Sequence, residues 1–349
     1  MSRGIAYALA SAVLFGMSTP LAKSLVTDIS PLLLAGLLYM GSGLGLLLLL
    51  VGRRLSAPHA FSIALPKRAE WAWLAGAVFS GGVMGPVALM CGLAAIAAST
   101  ASLLLNLEAV FTALLAWFLF RENFDRRIVI GMIAIVSGGA LLAWTPGAWG
   151  GGSLGPALVA AACLCWAVDN NLTRKASAGD ATLIAGVKGF VAGAVNLSLA
   201  LLLGHRMPAF SVVAGAAGVG FLGYGVSLAL FVLALRHLGS ARAGAYFSVA
   251  PFFGATLAVL FQGDVVTWQL IAAGSLMLAG VYLHISEPHD HLHAHERQEH
   301  THSHVHDEHH RHAHDFVWGG HEPHTHAHMH QPFVHAHPHY PDVHHRHPH

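Results

Sequence analysis

The chain has 349 residues, of which 55% are apolar and only 10% charged, and its mean hydropathy is positive. Soluble globular chains average about 25% charged residues, so the composition predicts a protein embedded in lipid. A net charge of +1, without a basic stripe interleaved with aromatic residues, gives no support for nucleic acid binding. The sequence has no P-loop and no hydrolytic constellation, so we expect neither ATP-driven transport nor an enzyme.

Ten apolar runs have a length typical of membrane helices, which need roughly 20 residues to cross a hydrocarbon core of about 30 Å. These runs are Gly4–Ala22, Leu32–Val51, Trp71–Ile96, Ala98–Phe120, Ile128–Trp144, Gly155–Leu172, Thr182–Leu203, Val212–Leu235, Ala243–Phe261 and Trp268–His284. A glycine-rich link at residues 146–153 separates the first five from the last five. The first run imitates a signal peptide, but it lacks a clean cleavage site and has a counterpart later, so we expect it to be retained.

The two halves of the chain resemble each other. An offset of 142 residues carries Glu108-Ala109 onto Ala250-Pro251 and Gly138 onto Gly280, and Gly4–Lys23 aligns with Gly155–Arg174. We therefore predict an all-α membrane protein with five-helix repeats at residues 1–145 and 154–286. Because five is an odd number, the second repeat enters the membrane from the opposite face, and the repeats are inverted.

Loop charges predict the orientation, since Lys and Arg accumulate on the cytoplasmic side of a membrane. Twelve of these residues fall on one predicted side: Arg3, Arg53, Arg54, Lys67, Arg68, Arg121, Arg126, Arg127, Arg174, Lys175, Arg236 and Arg242. The opposite loops carry Lys23 and Arg206. We expect a multi-pass protein of a bacterial-type inner membrane with both termini in the cytoplasm.

Two segments carry a resemblance to a known family: ASTASLLLNLEAVFTALLAWFLFREN at residues 98–123 and GSARAGAYFSVAPFFGATLAVLFQGD at residues 239–264. In these segments the chain resembles the EamA-type family of the drug/metabolite transporter superfamily. The resemblance covers roughly residues 4–285 and implies ten helices, inverted five-helix repeats and transport of a small solute. The sequence departs from the family's usual Glu-Pro at Glu108-Ala109, whereas the second half keeps Pro251 after Ala250.

Glu108 is the carboxylate of the fourth apolar run, about ten residues from its start and hence near the midplane. A charged group at that depth costs about 2.5–3.5 kcal/mol and therefore usually faces a cavity or a partner. We predict that Glu108 couples transport to protons or binds substrate, with Asn106 and Thr112 as polar neighbours. The alternative is a protonated glutamate that ties its helix to a backbone carbonyl.

Asp169 and Lys188 lie at similar depth on consecutive predicted helices, roughly 7–11 Å below the cytoplasmic face. We expect an ion pair between them, which serves either as a lock between the two helices or as a gate that opens during transport. The neighbouring Asn170 and Asn171 add polar groups at the same depth.

Other side chains in the apolar runs are expected mainly to pack. The three cysteines, Cys91, Cys163 and Cys165, are interpreted as small hydrophobic residues, and no disulfide follows from them. Four aromatic residues are candidates for the wall of a substrate cavity, although most such residues pack or sit at the membrane interface: Phe15, Trp166, Tyr224 and Tyr246.

The C-terminal segment, residues 287–349, is rich in histidine, with 24 histidines between His289 and His349. It has few aliphatic residues, so we predict a disordered cytoplasmic tail. Imidazole suits Zn, Ni, Co and Cu, and the predicted ligands are His291, His293, His295, His302, His304, His306, His324, His326, His328 and His330. The alternatives are a low-complexity extension without metal and a polycation that responds to pH.

Together these features predict a secondary active transporter, and an exporter in our interpretation, that carries a small solute by alternating access. One alternative is an efflux permease for Zn, Ni, Co or Cu, or for a metal chelate, that the tail feeds or gates. Another is a membrane metal sensor or store that transports nothing. We expect no required cofactor; the expected partners are the lipid bilayer and a small-molecule or metal substrate, and a homodimer is left open.

Overall fold

The computed structural model describes most of the apolar part of the chain and four short stretches of the tail. The described residues are 3–56, 70–120, 126–144, 154–175, 181–285, 290–295, 298–304, 324–330 and 333–338. The chain forms two compact units, Met1–Ser286 and Glu287–His349.

The described residues of the first half of the larger unit form helices joined by short turns. Its α-helices are α1 (Arg3–Val26), α2 (Pro31–Ser56), α3 (Trp71–Ala77), α4 (Gly85–Ala95), α5 (Ala98–Leu104), α6 (Leu107–Phe120) and α7 (Arg126–Ala143). A π-helical segment, Val78–Met84, joins α3 to α4, and the backbone angles on either side of it remain helical. The predicted starts at Trp71 and Ala98 coincide with helix starts, since Ile96 and Ala97 adopt non-helical backbone angles.

The second half repeats this pattern. Its helices are α8 (Leu154–Lys175), α9 (Ala181–Leu202), α10 (Phe210–Gly220), α11 (Ser227–Phe247), α12 (Ala250–Gln262) and α13 (Trp268–Ile285). A second π-helical segment, Phe221–Val226, joins α10 to α11. Both π segments contain closely spaced glycines, and Gly223 of the second lies 142 residues after Gly81 of the first.

The chain reverses its direction within α11. The rings of Phe231 and Phe247 are 4.8 Å apart, although 16 residues of straight helix would separate them by about 24 Å. The reversal falls between these two residues, in the stretch where the sequence predicts a loop at residues 236–242.

Seven helical stretches of the described chain are long and apolar enough to cross a membrane, against ten predicted from the sequence. They are Arg3–Val26, Pro31–Ser56, Trp71–Ala95, Ala98–Leu115, Arg126–Ala143, Thr182–Leu202 and Phe210–Ala234. Residues 250–262 and 268–283 form shorter apolar helices. The helix α8 is of sufficient length, but the run from Asp169 to Asn171 lowers its hydropathy.

The two halves contact each other through matching pairs of helices. Helix α1 packs against α11 and α12 of the second half, and α8 packs against α4 and α6 of the first. Helix α2 packs against the second π segment, and α9 against the first. Each of these contacts has a counterpart in which the roles of the halves are exchanged.

Glycine contacts at the crossing of α2 and α9 show the same exchange of roles between the two halves. A Cβ atom on Gly43 would lie 2.1 Å from the backbone nitrogen of Phe190, and one on Gly193 would lie 2.5 Å from that of Met40. An offset of 150 residues turns the first pair into the second. The crossing of α7 and α13 shows the same reciprocal pattern. A Cβ atom on Gly138 would lie 2.8 Å from Met277 Cγ, and one on Gly280 would lie 2.8 Å from Ile135 Cγ1. Small residues allow this close approach where lipid gives helices no hydrophobic reason to associate.

The smaller unit contains four strands, β1 (Asp290–His295), β2 (Gln298–His304), β3 (His324–His330) and β4 (Phe333–Pro338). They form two antiparallel pairs, β1 with β4 and β2 with β3, whose register sets His293 opposite His335 and His302 opposite His326. The prediction of disorder therefore differs from the structure at these residues. Alternating His-x-His has the two-residue period of a strand.

Candidate functional site

The helix that carries Glu108 is broken immediately before it. Helix α5 ends at Leu104 and α6 begins at Leu107, so that Glu108 lies in the first turn of α6. The break frees backbone carbonyl groups that a continuous helix would use. Side chains bind carbonyl oxygens at the break: the Cys163 thiol donates to the Leu104 oxygen over 3.6 Å, and Asn106 donates from Nδ2 over 2.9 Å to the Leu103 oxygen, which also accepts the Asn106 backbone N–H. The discontinuity thus forms without a proline.

Glu108 meets α8 through an amide. Asn170 Nδ2 donates to Glu108 Oε1 over 2.9 Å and, more weakly, to Thr112 Oγ1 over 3.4 Å. Asn171 continues this contact, since its Nδ2 reaches the Thr112 carbonyl oxygen at 3.3 Å and the Ala167 oxygen at 2.8 Å. Asn170 is exposed, whereas Glu108 is half-buried.

The predicted ion pair is present and joins the same helix, α8, to α9. Lys188 Nζ of α9 donates to Asp169 Oδ1, and it also donates to Thr173 Oγ1 over 3.0 Å. Thr173 in turn donates to Asp169 Oδ1 over 2.8 Å, one helical turn along α8. The two charged side chains are only 18% and 12% exposed, so the pair is well shielded from solvent.

The structure thus joins two groups of residues that the sequence analysis treats as separate. Asp169 and Asn170 are adjacent on α8; one binds Lys188 and the other binds Glu108. Thr112 belongs to the same network, as predicted from its spacing. Asn106 does not share in it: its side chain contacts the Leu103 oxygen and, at 3.9 Å, the sulfur of Met277. Its observed contacts are those of a residue that stabilises the break.

The first π segment lies beside this network and exposes carbonyl groups to it. The Gly81 oxygen accepts hydrogen bonds from the Tyr39 hydroxyl at 3.0 Å and from Trp166 Nε1 at 2.9 Å. Asn196 donates to the Gly82 oxygen over 3.2 Å, and Ser80 donates to the Cys165 oxygen over 2.8 Å. Elements α2, α8 and α9 are thus tied to one irregular turn, as is typical of π segments near functional sites.

Aromatic rings continue from Trp166 into the second half. Trp166 Nε1 lies 3.3 Å from the Tyr39 hydroxyl, and the rings of Tyr39 and Tyr224 have centroids 5.7 Å apart. Phe15 contacts Tyr224 at 5.8 Å and Phe247 at 5.4 Å. Of the four aromatic candidates, Phe15, Trp166 and Tyr224 belong to this chain of rings, whereas Tyr246 packs near Ala8 and Ala234.

Comparison with protein families decides what kind of protein carries this site. The model of the EamA-like transporter family matches the chain twice, at residues 2–144 and 153–286. The chain belongs to the EamA-like transporter family. Its two matches correspond to the two halves that the repeated sequence features predict.

Relatives of this EamA-like protein agree with the family. An uncharacterized transporter of Methanothermobacter thermautotrophicus (strain Delta H) is 29% identical over 289 residues, which cover 79% of this chain and 84% of the relative. A solved structure described as the crystal structure of a protein has a TM-score of 0.59 at 18% identity, covering 80% of this chain and 95% of the other. At that identity the second likeness concerns the fold alone. The protein is a multi-pass membrane transporter.

The structure describes side chains over most of the apolar part of the transporter. Within that part of the chain, no three His, Cys, Asp or Glu residues come together as a metal site. The histidine side chains of the four strands, and all of His306, lie outside the described residues.

Sequence reasoning missed several residues of the transporter's site. Thr173 was detectable, because it lies four residues after Asp169 and so faces the same side of a helix. Tyr39 and Ser80 had no such signal, since they reach the site through the π segment. Cys163 was expected to pack as a hydrophobic residue; it is fully buried, and it also contacts the freed carbonyl of Leu104.

Proposed function

We propose that this transporter is a secondary active carrier that exports a small solute by alternating access. The observation that carries the proposal is an arrangement on α8 in which Asn170 binds Glu108 and the adjacent residue, Asp169, pairs with Lys188. It connects a helix break in the membrane with an ion pair between two other helices. Ionisable residues within membrane spans generally mark transport pathways and proton relays.

Alternating access requires two arrangements of similar energy, which inverted repeats provide by exchanging the conformations of their halves. The reciprocal glycine contacts of α2 with α9 and of α7 with α13 support a two-fold relation between the halves. Equivalent helix breaks precede Glu108 and Ala250, and equivalent π segments surround Gly81 and Gly223. Together with the odd number of helices in each repeat, these features favour the inverted ten-helix arrangement.

In this proposal Glu108 binds substrate or a coupling proton, and Thr112 and Asn170 position its carboxyl group. Asp169 and Lys188 form a gate whose opening would separate α8 from α9. Breaking a shielded ion pair is costly unless another group takes the place of one partner. The gate therefore favours a closed state until the site beside it changes its occupant.

The position of positive charges supports a bacterial-type inner membrane with both termini in the cytoplasm. The tail would then lie in the cytoplasm, where its histidines bind Zn, Ni, Co or Cu. The tail's composition also favours a second candidate function, efflux of a transition metal or its chelate, with the tail as capture device or gate. A membrane metal sensor or store is the third.

Transport of solute is tested with the full chain in proteoliposomes preloaded with a mixture of labelled metabolites. We expect the wild-type chain to release one solute class under a proton gradient, and Glu108→Gln to abolish this release. Asp28→Asn is a matched control, because Asp28 is an exposed acid between α1 and α2. No release above that of empty liposomes would overturn solute transport.

Metal transport is tested in cells that lack the protein, by measuring their tolerance of zinc, nickel, cobalt and copper. The full chain, a form ending near Glu287 and Glu108→Gln are each returned to the cells. Tolerance that requires both Glu108 and the tail supports metal efflux. Tolerance that requires the tail alone assigns the tail to buffering, and unchanged tolerance throughout contradicts metal as the cargo.

A further inference from the structure

The hydrogen-bonding groups around Glu108 differ in what they offer a ligand. Asn170 directs its amide nitrogen toward Glu108 Oε1 and Thr112 Oγ1, so both amide hydrogens are used within the protein. Within the described part of the chain, Glu108 Oε2 and Asn170 Oδ1 have no hydrogen bond. Both are acceptors, and a ligand that satisfies them must bring donors.

Charge around the site favours the same kind of ligand. The cation in this network, Lys188, is committed to Asp169 and Thr173. Among the described residues, the hydrogen-bond partner of the Glu108 side chain is the neutral Asn170, so no positive charge in this network balances an ionised Glu108. A cationic group on the ligand would supply that balance, whereas an anion would be repelled.

The other ionisable groups near Glu108 do not change this result. Cys163 of α8 directs its thiol at backbone carbonyls, and the Tyr39 hydroxyl of α2 donates to the Gly81 oxygen. The position equivalent to Glu108 in the second half is Ala250, which carries no charge. One carboxyl group is therefore available for exchange between a proton and a ligand.

Aromatic rings lie next to this site along α8. Trp166 is four residues before Asn170 on α8, so the two share a helix face. Tyr39, Tyr224 and Phe15 extend from Trp166 into the second half. Aromatic faces attract cations and bury apolar groups.

We propose that the solute is a small protonated amine with an apolar body, held by Glu108 and Asn170 and exchanged for one proton. This inference rests on the proposed transport function. When the ammonium group binds, Glu108 is ionised, and its proton leaves to the side from which the amine came. One positive charge replaces another, so the exchange moves no net charge across the membrane.

Binding is tested separately from transport, with the full chain in detergent and calorimetry as the readout. The probes are benzylamine, benzyl alcohol and benzoate, which share a ring and differ in charge. We expect benzylamine to bind at least about tenfold more tightly than the other two, since a hydrogen bond to a charged group has roughly that effect. Glu108→Gln and Asn170→Ala should each remove this preference, and Asp28→Asn should keep it.

Transport is then measured in proteoliposomes with labelled benzylamine. A proton gradient should drive its accumulation faster than in protein-free liposomes, into which the neutral base diffuses unaided, and a membrane potential imposed without a proton gradient should not. Accumulation driven by the potential alone would overturn the one-for-one exchange. Equal binding of the three probes, or binding unaffected by Glu108→Gln, would overturn the amine site.

The two proposals can fail independently. Release of a metabolite that depends on Glu108, without selective binding of benzylamine, would overturn the amine class and leave the transport function standing. Selective binding of benzylamine without any solute movement would support the amine site and contradict transport.

Discussion

Two equivalent crossings in this transporter share a backbone arrangement and differ in chemistry. At one, Gly81 of the first π segment packs on Asp169 of α8, and at the other, Gly223 of the second π segment packs on Ser18 of α1. The offsets that align the halves carry Gly81 onto Gly223 and Ser18 onto Asp169. The first crossing holds an ion pair, whereas at the second the uncharged Ser18 donates to the carbonyl oxygen of Phe15 in its own helix.

The two broken helices also share their backbone arrangement and differ in their polar side chains. Glu108 lies in the first turn of α6, and Ala250 starts α12 at the equivalent position. The glycine contacts that fix backbone distances are kept in both halves, so the frame is shared. Charged and amide groups are concentrated at one of the two crossings, so the polar site is not shared by both. In the mechanism that we propose, the duplicated frame exchanges conformations while one set of polar groups carries out the chemistry.

The largest expected effect comes from removing one charge at the polar crossing. Asp169→Asn leaves Lys188 without its anionic partner in a shielded place, which should cost about 3 kcal/mol and lower the thermal midpoint in detergent. Ser18→Ala removes one hydrogen bond and should cost about 1 kcal/mol or less. The double variant Asp169→Asn with Lys188→Met should recover most of the stability. Equal losses for Asp169→Asn and Ser18→Ala would show that the two crossings are energetically alike.

A smaller effect is expected from crowding the shared frame. A Cβ atom on Gly81 would lie 2.1 Å from Asp169 Oδ2, and one on Gly223 would lie 2.5 Å from Ser18 Cβ. Gly81→Ala and Gly223→Ala should each destabilise the protein by about 1–3 kcal/mol, as overpacking does. Gly218→Ala is the control, because nothing lies within 4 Å of its Cβ position. A loss at Gly218 similar to that at Gly81 would contradict the steric explanation.

The smallest effect is expected from moving the proline between halves. Ala109→Pro places proline in the first turn of α6, where a missing N–H is tolerated, so the stability should change by less than about 1 kcal/mol. Ala113→Pro, one turn later, should cost about 3 kcal/mol because it removes an internal hydrogen bond. Thermal midpoints of both variants in detergent measure the difference. Severe loss in Ala109→Pro would mean that the first turn of α6 requires its backbone donor.

Helix positions were predicted well where composition alone decides them. Runs of apolar residues bounded by polar clusters place the starts of α3, α5 and α13 at Trp71, Ala98 and Trp268, as observed. The break before Glu108 was not predicted, because the expected cause, a proline, is absent. Its stabilisation comes from Asn106 nearby and from Cys163, which is distant in sequence.

The residues of the candidate site were named from the sequence, whereas most of their contacts were not predicted. Polar groups in an apolar run are costly and therefore conspicuous, so five of them were named as candidates: Glu108, Thr112, Asp169, Asn170 and Lys188. The sequence analysis did not place the two groups side by side, whereas in the structure Asn170, next to Asp169 on α8, binds Glu108. Depth along a helix follows from residue number, whereas the direction of a side chain depends on how the helix packs.

By itself the sequence determined that this chain is a duplicated bundle of apolar helices with a few costly polar groups. Hydrophobicity and residue spacing act over short stretches of chain, so they can be read directly from the order of the residues. The tertiary structure alone decided that Asn170 faces Glu108, that Gly81 accepts bonds from Tyr39 and Trp166, and that glycines of α2 and α9 meet in exchanged pairs. These contacts join residues far apart in the chain, and their geometry depends on backbone distances that only the packed helices fix.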